Sequence, residues 1–316
     1  MSRTGALVIA VMAALGLAAP VSADEVTADA SGAVNLTASG VVGVPIGLGR
    51  QRQEPAFALW AQPTGDGTSG AGVWQLAIRR ADSAPTPVPV RGFSEPPRAQ
   101  IDRSAPPTFA YYSRCAQDTS DCDIVRLDVA TRTEIRVPGA SSADADEVAP
   151  SIDRGVLVFV RSTGARRGIY RMRLDRPSRA PVRLATTIPL ETAVLGGISR
   201  VAYVYRSAAG YGIAVRRLSG NGPARIVSGL AGRPRNLRPV TQYRVAWLTD
   251  AVGGVRYSLS SQIRGRADLR APIAGNRLLP EGTDSFSGTG IDPQPSYYLA
   301  AGKLWRTDPG LIVFRF

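Results

Sequence analysis

Residues 149–175 decide the fold, and they read APSIDRGVLVFVRSTGARRGIYRMRLD. A turn around Asp153–Gly155 leads into the apolar run Val156–Val160, and a polar loop then precedes a second strand-like run at Ile169–Leu174. The first run is apolar throughout, which predicts a strand buried on both faces. The second run alternates, so we expect its arginines to lie on an outer, solvated strand.

The same unit recurs along the chain. Arg206 lies 45 residues after Arg161, and Thr249 lies 43 residues after Arg206, each at the end of a similar apolar run. Further copies begin near Phe57, Ile101 and Ile291, which makes six copies of about 43–52 residues. Because we find no convincing amphipathic helix, the pattern predicts an all-β protein, a six-bladed β-propeller. A seven-bladed ring and a pair of β-sandwiches are the alternatives.

The two ends of the chain suggest how the ring closes. The last copy leaves little room for a fourth strand, whereas the early segment at residues 34–37 has strand character without a partner of its own. We expect this N-terminal strand to complete the last blade, since closure removes exposed sheet edges. Residues 24–316 then form a single propeller domain.

The first 23 residues have the form of a cleaved secretory signal. Arg3 precedes the apolar stretch Gly5–Ala19, and Val21-Ser22-Ala23 has the small residues of a cleavage site. Cleavage between Ala23 and Asp24 is therefore expected, with a secreted, periplasmic or cell-envelope location. No later run is long and apolar enough to span a membrane. We expect the mature protein to be a monomer.

The predicted export bears on the two cysteines, because disulfides persist in oxidising compartments. Cys115 and Cys122 flank a polar turn, with strand-like residues outside both, so they lie on opposite arms of a hairpin. Opposed hairpin residues are close enough for a disulfide, which an oxidising compartment maintains. A redox pair, which usually has Cys-x-x-Cys spacing, is the alternative.

The repeat unit resembles the TolB-like repeat, also called the WD40-like β-propeller repeat, of exported bacterial proteins. The residues that carry the resemblance in the first unit are Pro150, Asp153, Gly155, Phe159, Ile169, Tyr170, Leu174 and Asp175. A second copy keeps Asp102, Tyr111, Ile124, Leu127 and Asp128. The resemblance implies a propeller fold and an exported location, and it does not identify a partner.

Composition excludes several kinds of catalysis. The chain has no histidine, so Ser-His-Asp and Cys-His catalysis and His-ligated metals are ruled out. No cofactor, metal site or catalytic residue is predicted. The acidic groups Asp118/Asp121/Asp123 and Asp144/Asp146/Glu147 do not match a calcium loop, so we place them on solvated loops. Paired carboxylates at the ring mouth could still hydrolyse or cleave a polysaccharide without histidine, so an enzyme stays the alternative.

The net charge of +13 leaves a third possibility, binding of a polyanion such as a cell-wall polymer. Of the 38 basic residues only Lys303 is a lysine, which is typical of a GC-rich genome and explains the choice of arginine but not the charge. Nothing in the sequence indicates specific nucleic-acid binding. The leading hypothesis is a non-catalytic scaffold that binds an exported protein or a cell-envelope polymer through loops of one ring face.

Overall fold

The structure is a computed structural model of the 316-residue chain. It describes residues 34–35, 44–51, 54–64, 73–80, 86–95, 97, 99–102, 109–116, 121–194, 199–208, 210–220, 225–227, 230, 232–241, 244–251, 254–259, 277–279, 283–287, 297–300 and 303–306. The predicted signal at residues 1–23, including Ala23 and Asp24, lies outside these ranges. So do Ile291 and the last predicted strand near Leu311.

The described strands form six four-stranded antiparallel sheets. Five of the sheets follow the chain without a crossover. The first two contain β2 (Val44–Gln51), β3 (Glu54–Thr64), β4 (Val73–Arg80) and β5 (Thr86–Pro87), then β6 (Gln100–Asp102), β7 (Phe109–Cys115), β8 (Cys122–Asp128) and β9 (Glu134–Arg136). The next two contain β10 (Glu147–Asp153), β11 (Val156–Arg161), β12 (Gly168–Arg173) and β13 (Val182–Ala185), then β14 (Glu191–Val194), β15 (Arg200–Ser207), β16 (Gly210–Arg217) and β17 (Arg225–Val227).

The remaining two sheets bring in the N-terminal strand. The fifth contains β18 (Arg235–Thr241), β19 (Arg244–Ala251), β20 (Gly254–Leu259) and β21 (Arg277–Leu279). The sixth contains β22 (Thr283–Ser287), β23 (Tyr297–Ala300), β24 (Lys303–Arg306) and, as its fourth strand, β1 (Val34–Asn35). Val34 lies opposite Leu304 in this pairing.

The first strands of successive sheets contact one another in a continuous order. β2 contacts β6, β6 contacts β10, β10 contacts β14, β14 contacts β18, and β18 contacts β22. β22 in turn contacts β2. The order therefore returns to its starting strand, which two packed β-sandwiches would not produce.

Residues 149–175 fold with one more strand than their sequence pattern predicts. Val156–Val160 is buried throughout, as expected, but it lies in β11, the second strand of its sheet. The predicted turn is present at Arg154–Gly155, and the residues before it, for which no strand was predicted, form the innermost strand β10. A β-bulge between Val148 and Ser151 accommodates Pro150, and Ala149 takes a positive φ of 51° there. A bulge interrupts the alternation on which sequence recognition of a strand depends.

The hydrophobic core lies between neighbouring sheets. Tyr111 and Ile124 of the second sheet pack with Leu157 and Phe159 of the third. Val158 of the third sheet packs with Val201 of the fourth, and Val204 of the fourth packs with Trp247 of the fifth. The third and fourth sheets thus bury both faces, which explains why the second strand of each is apolar without alternation.

The described ranges contain only strands, turns and irregular segments, which confirms the prediction of an all-β protein. Among these residues, no helix is of sufficient length and hydrophobicity to cross a membrane.

Candidate functional site

The candidate site lies on one edge of the sheets, where loops from three of them meet. In an antiparallel sheet in chain order, the hairpin between the second and third strands and the connection to the next sheet leave at the same end. Residues 88–93, 113–116, 121–123, 137–146 and 161–168 share this end, which we call the hairpin face. Hydrogen bonds hold these segments together, as Asp146 N donates to Thr163 Oγ1 over 2.9 Å.

The β7–β8 hairpin carries a disulfide at its tip. Cys115 and Cys122 lie directly opposite each other in the strand register and are joined by a disulfide bond. Arg91, which follows the first sheet, donates from Nη2 to the Cys115 carbonyl oxygen over 2.8 Å. On the other side, Cys122 N donates to Asp146 Oδ1 over 3.2 Å. The disulfide tip is therefore anchored to segments from both neighbouring sheets.

A pocket of about 330 Å³ opens beside this tip. Its lining combines three arginines, three carboxylates and the main chain of the hairpin. The lining residues are Arg91, Arg114, Cys115, Ala116, Asp121, Asp123, Val125, Glu134 and Arg136. Both Asp121 and Asp123 come from the first acidic group noted in the sequence, whereas Asp118 lies outside the described residues.

An arginine–glutamate pair forms one wall of the pocket. Arg114 binds both carboxylate oxygens of Glu134 and donates from Nη1 to the Arg91 carbonyl oxygen over 3.0 Å. Its guanidinium carbon also lies 4.2 Å from the centre of the Phe93 ring. Tyr112 donates its hydroxyl to Glu134 Oε2 over 2.8 Å. Planar, bidentate contacts of this kind hold both side chains in one geometry.

Burial and the nearby Glu134 carboxylate raise the pKa of Tyr112 well above its ordinary value of 10.0. The phenol therefore keeps its proton at all physiological pH values and acts here as a hydrogen-bond donor. It is not a general base.

A second ion pair lies across the pocket, where Arg136 binds Asp123. The Asp123 carboxylate is buried, while 68% of the Arg136 side chain is exposed. Two of the three lining carboxylates are thus paired with arginine, which leaves Asp121 as the exposed acidic residue at the rim. This arrangement presents fixed polar groups to a ligand.

In the second acidic group, Asp144 is exposed in a turn, as expected, but the expectation of a solvated loop was wrong for Glu147. Its side chain is completely buried, accepting hydrogen bonds from Ser142 N at 3.1 Å, Ser142 Oγ at 2.7 Å and Arg161 Nε at 3.0 Å. Burial raises the pKa of Glu147, although Ser142 and Arg161 act to lower it. Sequence spacing could not reveal this, because Arg161 is brought to Glu147 by the pairing of β10 with β11.

Polar side chains also link the innermost strands, and sequence reasoning missed them. Ser151 Oγ donates to Gln100 Oε1 over 2.8 Å and accepts from Val194 N over 2.7 Å. Thr192 Oγ1 donates to the Ala149 carbonyl oxygen over 2.8 Å. Glu191 Oε2 accepts from Leu237 N over 2.7 Å. These bonds join β6, β10, β14 and β18, and their groups are largely shielded from solvent.

Within the described part of the chain, no three acidic or cysteine side chains converge as a metal ion would require.

The arginines are distributed differently from the expectation that they would be solvated. Arg166 and Arg167 are exposed on the hairpin face, but the Nε atoms of Arg126, Arg171 and Arg216 are buried. Arg264, Arg266 and Arg270 lie outside the described residues.

Comparison with known proteins identifies the fold. No family model matches the chain, and no curated protein matches it. Among solved structures, a nidogen/laminin complex shares 14% identity with a TM-score of 0.50, covering 78% of this chain and 86% of that one. Similarity at this identity concerns the fold alone. The chain has the β-propeller fold, which confirms at that level the resemblance drawn from the repeat residues.

Two further solved structures are similar over part of their length. TolB from Acinetobacter baumannii shares 15% identity with a TM-score of 0.44, covering 68% of this chain and 53% of that one. A puromycin-hydrolyzing peptidase from Mycobacterium tuberculosis shares 14% identity with a TM-score of 0.48, covering 82% of this chain and 42% of that one. The chain therefore spans about half the length of the TolB chain that it matches.

Proposed function

We propose that this β-propeller is an exported, non-catalytic scaffold that binds a partner through its hairpin face. One observation carries the proposal: the disulfide tip is anchored to both neighbouring sheets beside a pocket of about 330 Å³. Loops held rigidly on a scaffold suit binding, because little conformational entropy is lost when a partner docks.

The proposed propeller has six blades and is closed by its N-terminal strand. Six four-stranded sheets whose first strands contact one another in a cyclic order support this blade count over seven. Pairing of Val34–Asn35 with β24 supports closure of the last blade. In the mature protein this closure joins the two ends of the domain, residues 24–316.

Export is supported by the disulfide and by the signal-like first 23 residues. A disulfide between Cys115 and Cys122 persists in oxidising compartments, such as the periplasm or the exterior of the cell. The partner is then an exported protein or a cell-envelope polymer, bound by a monomer without specific affinity for nucleic acid. In the similar nidogen/laminin structure, the crystal contains a complex of two proteins.

The carboxylates Glu134 and Asp123 are paired with arginine, which favours binding over the alternative of a polysaccharide hydrolase or lyase. Such an enzyme needs an acid and a second carboxylate about 5–9 Å apart on either side of the scissile bond. Glu134 and Asp123 in the pocket are instead engaged by Arg114 and Arg136. Of the carboxylates on the innermost strands, Glu147 is engaged by Ser142 and Arg161, and Glu191 accepts a hydrogen bond from Leu237 of the next sheet.

The proposal is tested by affinity capture from the exported fraction with the mature protein at low and moderate salt. We expect a captured partner whose recovery falls when Asp121→Arg changes the pocket rim. The matched control is Asp175→Arg, since Asp175 is also exposed but follows β12 at the opposite end of the sheet.

Equal recovery with both variants would exclude the hairpin face as the contact surface. Release of reducing sugars from envelope polysaccharide by the wild-type protein would instead favour the enzyme.

A further inference from the structure

One end of the third and fourth sheets carries a surplus of exposed arginines. This end, which we call the turn face, comprises residues 153–156, 173–181 and 217–220, and it lies opposite the hairpin face of the same sheets. Its exposed arginines, which we call the basic patch, are Arg154, Arg173, Arg176, Arg179 and Arg217. Within these ranges the exposed acidic residue is Asp175, so positive charge predominates.

Main-chain hydrogen bonds bring the arginines of the third sheet together. Leu174 N donates to the Gly155 carbonyl oxygen over 2.9 Å, which joins the β12–β13 connection to the β10–β11 turn. Arg176 N donates to the Arg173 carbonyl oxygen over 3.2 Å, and Arg179 N donates to the Arg176 carbonyl oxygen over 3.1 Å. Two consecutive turns therefore carry an arginine at every third residue.

The fourth sheet adds Arg217 to the same surface. Arg217 ends β16, and the next residue, Leu218, packs in one hydrophobic cluster with Val156 and Leu184 of the third sheet. Val156 directly follows the turn that contains Arg154. The basic patch therefore extends over two sheets that are in contact at this end.

Four of the five arginines have no internal carboxylate partner. Arg173 donates to both carboxylate oxygens of Asp175, from Nε over 2.9 Å and from Nη2 over 2.7 Å. Among the described residues, no carboxylate pairs with the other four arginines of the patch, all of which are exposed. An external anion therefore reaches them without displacing an ion pair of the protein.

Arg154 has a backbone conformation that arginine rarely adopts. Its φ is 47° and that of Gly155 is 70°, as a type I′ turn requires at its two central residues. Asn, Asp and Gly are preferred at the first of these positions, because a positive φ costs other residues free energy. Strained positions of this kind cluster at functional sites. An arginine in this turn therefore indicates a use for its charge.

Compositional bias toward arginine does not by itself explain the patch. In the second sheet, the turn equivalent to the β12–β13 connection spans residues 128–133. Its one arginine, Arg132, is only partly exposed, and its acidic residue Asp128 accepts hydrogen bonds from the main chain of Ala130 and Thr131. Bias would enrich both turns alike, whereas exposed arginine is concentrated at the third and fourth sheets.

The chemistry of the turn face indicates a hydrophilic polyanion as its ligand. Surfaces that bind a bilayer usually insert apolar side chains, and protein interfaces centre on buried apolar or aromatic anchors. Of the four large apolar residues that the described part exposes, only Val182 adjoins the turn face. Arginine binds carboxylates through paired hydrogen bonds, and an acidic polysaccharide repeats carboxylates along a chain that is otherwise rich in hydroxyl groups.

We propose that the basic patch binds an acidic polysaccharide of the cell envelope. Successive carboxylates of the polymer pair with the four arginines that have no internal partner. Because the turn face and the hairpin face lie at opposite ends of the sheets, the protein holds the polymer at one end and leaves the other free for its partner. The inference rests on the proposed export of the protein and is independent of the hairpin face.

The test measures binding of the mature protein to immobilised polygalacturonate by biolayer interferometry. Salt at about 0.15 M limits the attraction of exposed charges to a range of about 8 Å. We expect the double variant Arg176→Gln/Arg179→Gln to bind at least about tenfold more weakly, because it loses two charge-assisted contacts. The matched control, Arg166→Gln/Arg167→Gln, removes the same charge from the hairpin face of the same sheet and should bind within about twofold of wild type.

Arg154→Asn separates binding from folding. Asn adopts a positive φ more readily than arginine, so this variant should unfold at the same urea concentration as wild type or at a higher one. It should nevertheless bind polygalacturonate about fivefold more weakly, because it loses one charged contact. Unchanged binding by this variant would remove Arg154 from the proposed site.

Three outcomes would overturn the proposal. One is absence of binding to polygalacturonate, and another is an equal loss in the two double variants, which would indicate attraction by net charge alone. The third is tighter binding to phosphatidylglycerol vesicles or to polyglutamate, which would identify a bilayer or a polypeptide as the ligand. Asp121→Arg should bind polygalacturonate normally, so failure of this proposal is distinguishable from failure of the hairpin-face proposal.

Discussion

At the scale of single residues, Glu147 shows how burial changes the role of a carboxylate. Its side chain is 0% exposed and is held by Ser142 and Arg161, whereas the Arg173–Asp175 pair leaves about half of each side chain in water. Exposed pairs contribute little to stability, but a buried carboxylate must have all its partners in place. Glu147 is therefore part of the packing of β10, although its sequence context is typical of a surface loop.

The raised pKa of Glu147 predicts a pH dependence of stability. A carboxyl group whose pKa is higher in the folded state binds its proton more tightly there. Its contribution to stability is complete below the unfolded-state value of 4.5 and is lost as the pH rises through the folded-state value. We expect the difference in unfolding free energy between wild type and Glu147→Gln to shift against the wild type as the pH rises above 4.5. Urea denaturation at a series of pH values measures this difference.

Asp175→Asn provides the control of opposite sign. The hydrogen bond from Arg173 lowers the pKa of Asp175, so its contribution is present at neutral pH and lost on acidification. If the stability difference from wild type had the same pH dependence in both variants, the raised pKa assigned to Glu147 would be contradicted.

At the scale of elements, the β7–β8 hairpin combines a covalent crosslink with contacts to its neighbours. The cysteines lie opposite each other in register, and their main-chain groups bond to Arg91 and Asp146. The crosslink lowers the entropy of the unfolded chain, while the two hydrogen bonds hold the tip in place in the folded state. Rigidity at this tip is what the proposed binding surface needs.

Replacing both cysteines by serine should lower the free energy of unfolding by about 2–3 kcal/mol, as the chain-entropy model gives for a loop of about eight residues. Urea denaturation of the double variant measures the loss, and wild-type protein unfolded in the presence of a reductant should show the same stability. An unchanged unfolding midpoint in the variant would mean that the anchoring contacts alone stabilise the hairpin.

At the scale of the whole molecule, the contacts between innermost strands and the pairing of β1 with β24 both involve the sixth sheet. Each first strand contacts the next, and β22 contacts β2, so the sheets at the two ends of the order are neighbours. β1 supplies the fourth strand of the sheet that contains β22. Joining the chain ends in one sheet is expected to hold the ring closed and to cover the edge of β24.

Deletion of residues 24–37 tests this closure. We expect the apparent melting temperature to fall by at least about 4 °C, because the last sheet loses a strand and the ring loses its link between the chain ends. A chain lacking only residues 24–31 keeps Val34 and Asn35 and serves as the control. Equal melting temperatures of the two deletions would show that the pairing contributes nothing to stability.

Local sequence predicted the apolar strands of the repeated sheets, although it did not predict the innermost strand β10. Apolar runs such as Val156–Val160, repeated at similar spacing, predicted buried strands of repeated sheets, because burial of a strand depends mainly on its own residues. The position of Cys115 and Cys122 around one turn likewise predicted their opposition in a hairpin. The all-β fold follows from these patterns without any long-range information.

The tertiary structure alone decided which polar residues meet. Thr192 reaches Ala149 across 43 residues, and Gln100 reaches Thr192 across 92. The Nε atom of Arg171 is buried although its alternating strand predicted a solvated side chain. Hydrogen-bond partners and burial between sheets depend on how separate units pack, and a repeat pattern describes each unit by itself. The physical reason is that local periodicity sets which face of a strand is apolar, while only packing determines what that face contacts.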